Sequence, residues 1–460
     1  MNATLISVGN NVYGMVSRHT RRSFLGMVGA AMGGITAGVQ IVSASKTDNR
    51  YIIDTRSGPV RDIADIEIIH DLDRIDIAVA RATESDVAGL RAVPDVRFEV
   101  DIPVTERSFE GEIDDPLFRL QWDKQAQRIP IVHEYTRGEG TRLSIIDTGI
   151  LETHPDIADR LNVELSKNFT DDGGDHNPVN GRDHGTHVAG IAGATDNDRG
   201  VIGMAPRTEL VDCRVFSEGG ATFGNVLAAI YYSAEIESDA ANMSLGAYPL
   251  PLDEEQTQML IDSVERAAAF ANEQGTLLVA AAGNNGANLD EDGNVISLPN
   301  EADNVMSISA TGPIGYRWDD PQYLPDDYHV ALSRLRKPTS TPAFYTNYGS
   351  EAVDVSAPGG NADLEAAENN VPNWYYDLVL SSAFVVQDGE QVPAYGWKAG
   401  TSMASPQITG VVALVRSRNP NASPNQVRTL IEETAEDIPP QEYRGEGHLY
   451  TLRAVLTPIL

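Results

Sequence analysis

The chain has one cysteine, Cys213, among 460 residues. No disulfide within the chain is possible, so stability must come from a packed core. Lysine is nearly missing as well. It occurs only at Lys46, Lys124, Lys167, Lys337 and Lys398, and arginine supplies the rest of the 34 cations. Against 67 acidic residues, that leaves a formal net charge of −33. Such a field repels phosphate and excludes nucleic acid as a partner. An acid-rich, lysine-poor surface stays hydrated when salt screens its self-repulsion, so adaptation to high salt is expected. Apart from a Gly/Ala-rich segment near the N-terminus, no apolar run reaches the roughly 18 uncharged residues a membrane helix needs, and no stable membrane anchoring is expected. Two catalytic frames are missing too. There is no His-Glu-x-x-His metal frame, and Gly400 to Ala404 does not read Gly-x-Ser-x-Gly, the elbow of an α/β-hydrolase esterase.

What is present falls into three parts. Residues 1–44 contain Thr20-Arg21-Arg22-Ser23-Phe24-Leu25, a mildly apolar segment from Phe24 to Val42, and the small residues Val42-Ser43-Ala44. This twin-arginine pattern is expected to act as an export signal that leaves a soluble, extracellular protein. Residues 45–112 carry strand-like runs at Tyr51–Ile53, Ile66–Ile69, Ile75–Val79 and Val96–Val100, with a short helix expected at Glu84–Leu90. That alternation suits a small α/β sandwich ending in a polar, acidic joint at residues 106–116.

From 113 to 460 strands alternate with helices. Strands are expected at Leu143–Ile146, Leu210–Val215, Ala240–Met243, Thr276–Ala282, Val305–Ser309 and Val353–Ser356. Helices are expected at His187–Ala194, Asn225–Ile236, Glu254–Asn272 and after Ser402. This predicts an α/β fold: a doubly wound, mostly parallel sheet with helices on both faces. Ligands in such folds bind outside the carboxyl ends of the strands, where Asp147 falls. Cys213, within a strand, reads as a buried structural thiol. Residues 313–345 and 360–396 read as surface insertions near the site, or as local structure that the pattern leaves undefined.

The stretch Gly400-Thr401-Ser402-Met403-Ala404-Ser405-Pro406 delivers a serine to the start of a helix. Free backbone N–H groups there favour developing negative charge. Upstream stand Ile145-Ile146-Asp147-Thr148-Gly149 and Asp183-His184-Gly185-Thr186-His187. In the order Asp, His, Ser, these motifs resemble the subtilases, the subtilisin-like serine peptidases, and among them the halolysins of salt-loving microbes; the resemblance spans about residues 117–455.

The resemblance implies a serine endopeptidase working through an acyl-enzyme. Ser402 would attack a peptide carbonyl, His184 would carry the proton, Asp147 would orient the imidazole, and Asn284 would donate to the oxyanion. Ser244, Leu245 and Gly246 would pair with substrate backbone, and Ala281, Ala282 and Gly283 would wall the pocket for the residue before the cut bond, with room for Phe, Leu, Tyr or Met. Calcium is the implied cofactor, held by Asp115, Asp156, Thr195, Asn197, Arg199 and Val201. A solvated Asp/Asn loop is the alternative, and no organic cofactor is expected. Residues 45–112 would be an inhibitory pro-domain, removed by self-cleavage between about Glu106 and Asp115. Partners would be protein or peptide substrates, with the enzyme a monomer. A non-catalytic binding or structural protein of the same shape is the rival reading. Gln407-Ile408-Thr409 departs from the family's usual His-Val-Ala.

Overall fold

The computed structural model describes residues 45–60, 63, 65–109, 117–318 and 328–459. The twin-arginine segment and Asp115 lie outside these residues. The described N-terminal unit is an antiparallel sheet of β1 (Ser45–Asp54), β2 (Glu67–Leu72), β3 (Ile77–Arg81) and β4 (Arg91–Phe98), in the order β2-β3-β1-β4. A fifth strand, β5 (Val104–Phe109), leaves this sheet for another.

The large domain contributes β6 (Arg142–Asp147), β7 (Lys167–Asn168), β8 (Glu209–Arg214), β9 (Phe216–Ser217), β10 (Gly220–Thr222), β11 (Ala240–Met243), β12 (Ala247–Pro251), β13 (Leu277–Ala281), β14 (Val295–Leu298), β15 (Val305–Thr311), β16 (Val355–Pro358), β17 (Val379–Gln387), β18 (Glu390–Ala399) and β19 (Gly447–His448). Eight of these form one parallel sheet, ordered β19-β16-β15-β13-β11-β6-β8-β7. Four main helices cover it: α1 (His184–Gly193), α2 (Phe223–Glu235), α3 (Glu255–Gln274) and α4 (Thr401–Arg418).

Strand period two sorts the side chains between the faces. Leu143, Ile145, Leu277 and Val279 pack with Val188 and Ile191 of α1 and with Val411 to Val415 of α4. Ile146, Val211, Leu278 and Ala280 pack with Val226 of α2 and with Leu260 and Val264 of α3. Each such side chain contributes about 1.5–3 kcal/mol on burial. The expected doubly wound α/β architecture is the one observed. Cys213 is buried, and that burial pushes its thiol up to about 12.

Three local expectations are corrected. Glu84–Leu90 is a run of turns, because the Asp86 carboxylate accepts both the Thr83 N–H (2.7 Å) and the Thr83 hydroxyl (2.6 Å), and Gly89 takes a φ of +87°. A side chain that bonds its own backbone in this way competes with helix formation. The joint expected from 106 onward begins as β5, which pairs with β18 from Val104↔Ala399 to Tyr395↔Phe109. Residues 379–399 are not a loose insertion but the hairpin β17–β18.

Ile52, Ile77, Val93, Val96 and Phe98 face α2 and α3 in one apolar cluster, so two helices of the large domain cover the N-terminal sheet. Its last strand continues into the large domain through β10 and β9. Polar contacts seal the seam. Tyr231 Oη donates to Asp73 (2.9 Å), Gln256 Nε2 to Pro94 O (2.5 Å) and Arg266 to Ile75 O (2.9 Å). His70 donates Nε2–H to Phe169 O (3.1 Å).

Burial holds His70 down at about 4 from its ordinary 6.5, aided by the nearby charge of Arg50. Released from the seam it regains its higher pKa and takes up a proton that the docked form refuses, so docking weakens as pH falls from about 6.5 towards 4. The loss is at most about 3 kcal/mol. Urea unfolding at pH 7 and pH 4 should show an acid-induced fall in the midpoint that His70→Gln reduces; an equal fall in both proteins contradicts this account.

Candidate active site

Asp147 ends β6, a strand with partners on both sides, and its carboxylate is fully buried. Oδ1 accepts the Thr148 N–H at 2.7 Å and lies 2.7 Å from His184 Nδ1. A carboxylate only accepts, so Nδ1 carries the proton of this contact. His184 opens α1, and Gly185 lets the helix come this close: a Cβ there would stand 2.5 Å from Gly149 O. Thr148 Oγ1 ties the two elements, donating to Arg182 O (3.1 Å) and accepting the Gly185 N–H (2.8 Å). His184 Nε2 is buried and has no hydrogen-bond partner among the described residues.

Ser402 occupies the first turn of α4, as its motif predicts. Its Oγ donates to Ser244 O at 3.2 Å, and Ser244 Oγ returns a bond to Ser402 O at 2.8 Å. Ser244 follows β11, the neighbour of β6, so the carbonyl that Ser402 contacts and the Asp147 carboxylate stand at adjacent strand ends.

Asn284 follows β13. Its Oδ1 accepts both the Thr401 N–H and the Thr401 hydroxyl at 2.9 Å, which turns the amide outward. Nδ2 donates to a backbone carbonyl of the N-terminal unit, Asp101 O, at 3.1 Å.

A cavity of about 40 Å³ opens beside this contact. Ser244, Leu245 and Gly246 form one wall, and Ala281, Gly283 and Asn284 the other. Ala282 lies behind the wall, buried, with its N–H on Ile308 O (3.0 Å). The far side is polar, lined by Tyr248, Ser297 and Asn300. Leu298-Pro299 is a cis peptide.

Sequence reasoning missed Asn347. Its Oδ1 accepts the N–H groups of Asn285 (2.9 Å) and Ala287 (3.1 Å), while its Nδ2 donates to Ala282 O (2.8 Å). It thereby holds the loop that carries Asn284, and a Cβ on Gly283 would meet it at 2.5 Å. No motif or periodicity marked this residue. A second pair was missed as well: His176 Nδ1 lies 3.1 Å from Asp212 Oδ2, which also accepts the Ile150 N–H at 2.7 Å. His187, three residues beyond His184, contacts Gly396 O at 3.0 Å and is held neutral by burial.

Of the calcium set, Asp156 and the 195–201 loop are together. Asp156 O accepts the Thr195 N–H (2.7 Å), and Oδ2 accepts that of Val201 (3.0 Å). Asn197 Oδ1 accepts the Arg199 N–H (3.0 Å), closing a turn within the loop. Burial pushes the Asp156 carboxyl up to about 6, and its Oδ1 and Thr195 Oγ1 have no hydrogen-bond partner among the described residues. A cavity of about 280 Å³ lies against the loop. Among the described residues, no three His, Cys, Asp or Glu side chains gather as a metal cluster.

Comparison with known proteins places this geometry. The model of the subtilase family matches residues 138–450. The chain is 28% identical over 386 residues to the M-protease of Shouchella clausii strain KSM-K16, covering 83% of this chain and 80% of that one. It is 30% identical over 345 residues to thermitase of Thermoactinomyces vulgaris, covering 74% and 98%. Among solved structures, the epidermin leader peptide processing serine protease of Staphylococcus aureus has a TM-score of 0.67 at 20% identity, covering 89% of this chain and 98% of that one. Fervidolysin of Fervidobacterium pennivorans has a TM-score of 0.63 at 18% identity, covering 90% and 62%. These two structural likenesses speak for the fold.

Asn347→Ala removes three hydrogen bonds, one of them fully buried, and should cost about 1–3 kcal/mol of stability. Because the released loop carries Asn284, kcat should fall by more than KM rises, in steady-state kinetics on a peptide substrate. An unchanged kcat in a destabilised variant would make Asn347 a purely structural residue.

Proposed function

Because the chain belongs to the subtilase family and is a serine endopeptidase, we propose that Asp147, His184 and Ser402 form its catalytic row and that Asn284 is the oxyanion donor. The observation that carries this reading is the buried 2.7 Å contact of Asp147 with His184, which leaves Nε2 open at a strand end next to that of Ser244 and Ser402. In the reaction, Ser402 Oγ leaves the Ser244 carbonyl, gives its proton to Nε2 and attacks the substrate carbonyl. Asp147 keeps the imidazole in the required tautomer and stabilises its charged form. Asn284 Nδ2 donates to the oxygen as it gains charge, with Thr401 holding the amide in place.

The finer reading is an exported, salt-adapted enzyme of the halolysin type, made as a precursor whose residues 45–112 inhibit it until it processes itself. The twin-arginine pattern and the charge of −33 support export and salt adaptation. Among the described residues, no helix is long and apolar enough to cross a membrane. The docked N-terminal sheet, with Asp101 O on Asn284, supports inhibition. Calcium would be held by Asp156 and by loop oxygens of Thr195, Asn197, Arg199 and Val201, where it would tie the loop to the domain. The partnerless Asp156 Oδ1 and the adjoining cavity support that fit.

A fluorophosphonate in molar salt should label Ser402, and Ser402→Ala should abolish both labelling and peptide cleavage. Asn284→Ala should lower kcat by about 10²–10³-fold, the loss established for removing such a donor in a subtilisin. Failure of Ser402 to label in the folded, processed protein would favour the non-catalytic alternative. Chelation should lower the melting midpoint by several degrees and added calcium should restore it; a midpoint indifferent to both removes the metal.

A further inference from the structure

Two pairings fix where the N-terminal chain crosses the site. β4 ends at Phe98, opposite Ala221 of β10, with its ring against Phe216 (5.9 Å) and Phe223 (5.1 Å). β5 begins at Val104, opposite Ala399 of β18. The link between them, residues 99–103, runs over Gly400, where a Cβ would stand 3.3 Å from Pro103 Cδ. Within it, the carbonyl that accepts the Asn284 amide is that of Asp101. Residues 104–109, close to the expected processing segment, are committed instead to the ladder with β18.

We propose that the bond between Asp101 and Ile102 is the one this enzyme cuts in its own chain, and that its cleft takes an acidic stretch, with Asp101 before the cut and Glu99, two residues earlier, held by Arg182. This rests on the catalytic reading above. Arg182 Nη1 lies 2.7 Å from Glu99 Oε2, and its Nη2 donates to Glu218 O at 3.2 Å. Arg182 is two residues before His184, so the cation stands at the edge of the catalytic helix. Gly220 keeps the lane open: a Cβ there would come within 2.5 Å of Phe98 O and 2.9 Å of the Glu99 carboxylate. Asp101 lines the cavity together with Tyr248, Asn285, Ser297 and Asn300, and no lysine, arginine or histidine lines it. Burial pushes the Asp101 carboxyl up to about 7, so this polar pocket receives it largely uncharged only below neutral pH. A short polar side chain suits these walls better than the bulky apolar one expected from the small residues alone.

The step balances as an ordinary hydrolysis. Ser402 Oγ bonds to the Asp101 carbonyl carbon, its proton passes through His184 to the Ile102 nitrogen, and the bond between Asp101 and Ile102 breaks. Water then releases the fragment ending at Asp101 and restores the serine.

The test follows the full chain during processing and weighs the released N-terminal fragment, whose C-terminus records the first cut even when the mature end is trimmed further. The fragment should end at Asp101. A fragment ending between 106 and 115 from an enzyme that labels at Ser402 overturns the assignment; an enzyme that neither labels nor releases a fragment removes the catalytic reading instead. Glu99→Arg should slow release about tenfold and Glu99→Gln by less, with Arg182→Glu restoring the rate of Glu99→Arg. Release at the original rate in all three denies the pairing. Peptides of the form Phe-Glu-Val-X-Ile-Pro should be cut after X with kcat/KM about tenfold higher for Asp or Asn than for Phe; the reverse order overturns the acidic preference.

Discussion

The 2.7 Å contact between Asp147 and His184 sets a buried charge problem that the surrounding architecture meets at one carboxylate oxygen, while Oδ2 has no hydrogen-bond partner among the described residues. A carboxylate out of water is costly unless it is bonded, and the end of a parallel strand offers few donors. Here the Thr148 N–H and the imidazole N–H meet one oxygen, while Thr148 Oγ1 and the bare Gly185 let α1 begin within reach. The neighbouring strand carries a second buried acid, Asp212, which burial and the charge of Asp147 push up to about 6. It is met by His176 and the Ile150 N–H. The carboxyl ends of two neighbouring strands, β6 and β8, therefore hold two Asp–His pairs side by side.

The sheet and its four helices were legible because each is a local pattern. Buried β-branched runs alternate with amphipathic or small-residue segments, and β6, β8, β11, β13, β15 and β16 fall within a few residues of where the sequence puts them. The candidate triad was legible from motif order, and the rule that ligands gather at carboxyl strand ends supplied the placement. What was not legible was long-range. β5 and β18 pair across some 290 positions, and nothing in either segment encodes the partner. Asn347 looked like any loop asparagine until its three bonds were seen. Glu84–Leu90 failed for a local reason, because a Thr–Asp turn outcompetes a helix of only seven residues.

The imbalance between arginine and lysine makes sense when the cations are followed inward. Arg214 is fully buried, bonded to both oxygens of Asp172 (2.7 and 2.9 Å) and to Asp175 O. Nearer the surface, the half-exposed Arg56 grips the buried Asp54 with three bonds and holds that carboxyl down at about 2. A guanidinium fork makes such paired contacts, which a point-charge ammonium cannot. Two of the five lysines are used inside: Lys124 is buried between Asp123 (2.7 Å) and Gln407 (3.0 Å), and Lys398 meets Asp183 at 3.0 Å. Gln407 also donates to Asp123 (2.7 Å), which gives its departure from the family histidine a structural role. Salt screens the exposed excess of acid far more than these short interior pairs, so high salt relieves repulsion without dissolving the scaffold.

Docking of the N-terminal unit and choice of the bond offered to Ser402 are one constraint, not two. Asp95 is fully buried, and its Oδ1 accepts both the Val96 N–H (2.9 Å) and the Gly224 N–H (3.0 Å) at the start of α2, while Oδ2 meets Arg50 Nε at 2.8 Å. A carboxylate at a helix N-terminus sits in the favourable end of the helix dipole. Asp95 lies in β4, three residues before Phe98, and Phe98 lies three before Asp101. Strand register shifts only in whole residues, and a slip of one would turn Val96 and Phe98 from the core to the opposite face. The anchoring carboxylate therefore leaves a single register in which the apolar cluster closes, and in that register the carbonyl in front of Asn284 belongs to Asp101. A unit that binds in any other register would lose its apolar contacts before it could present a different bond.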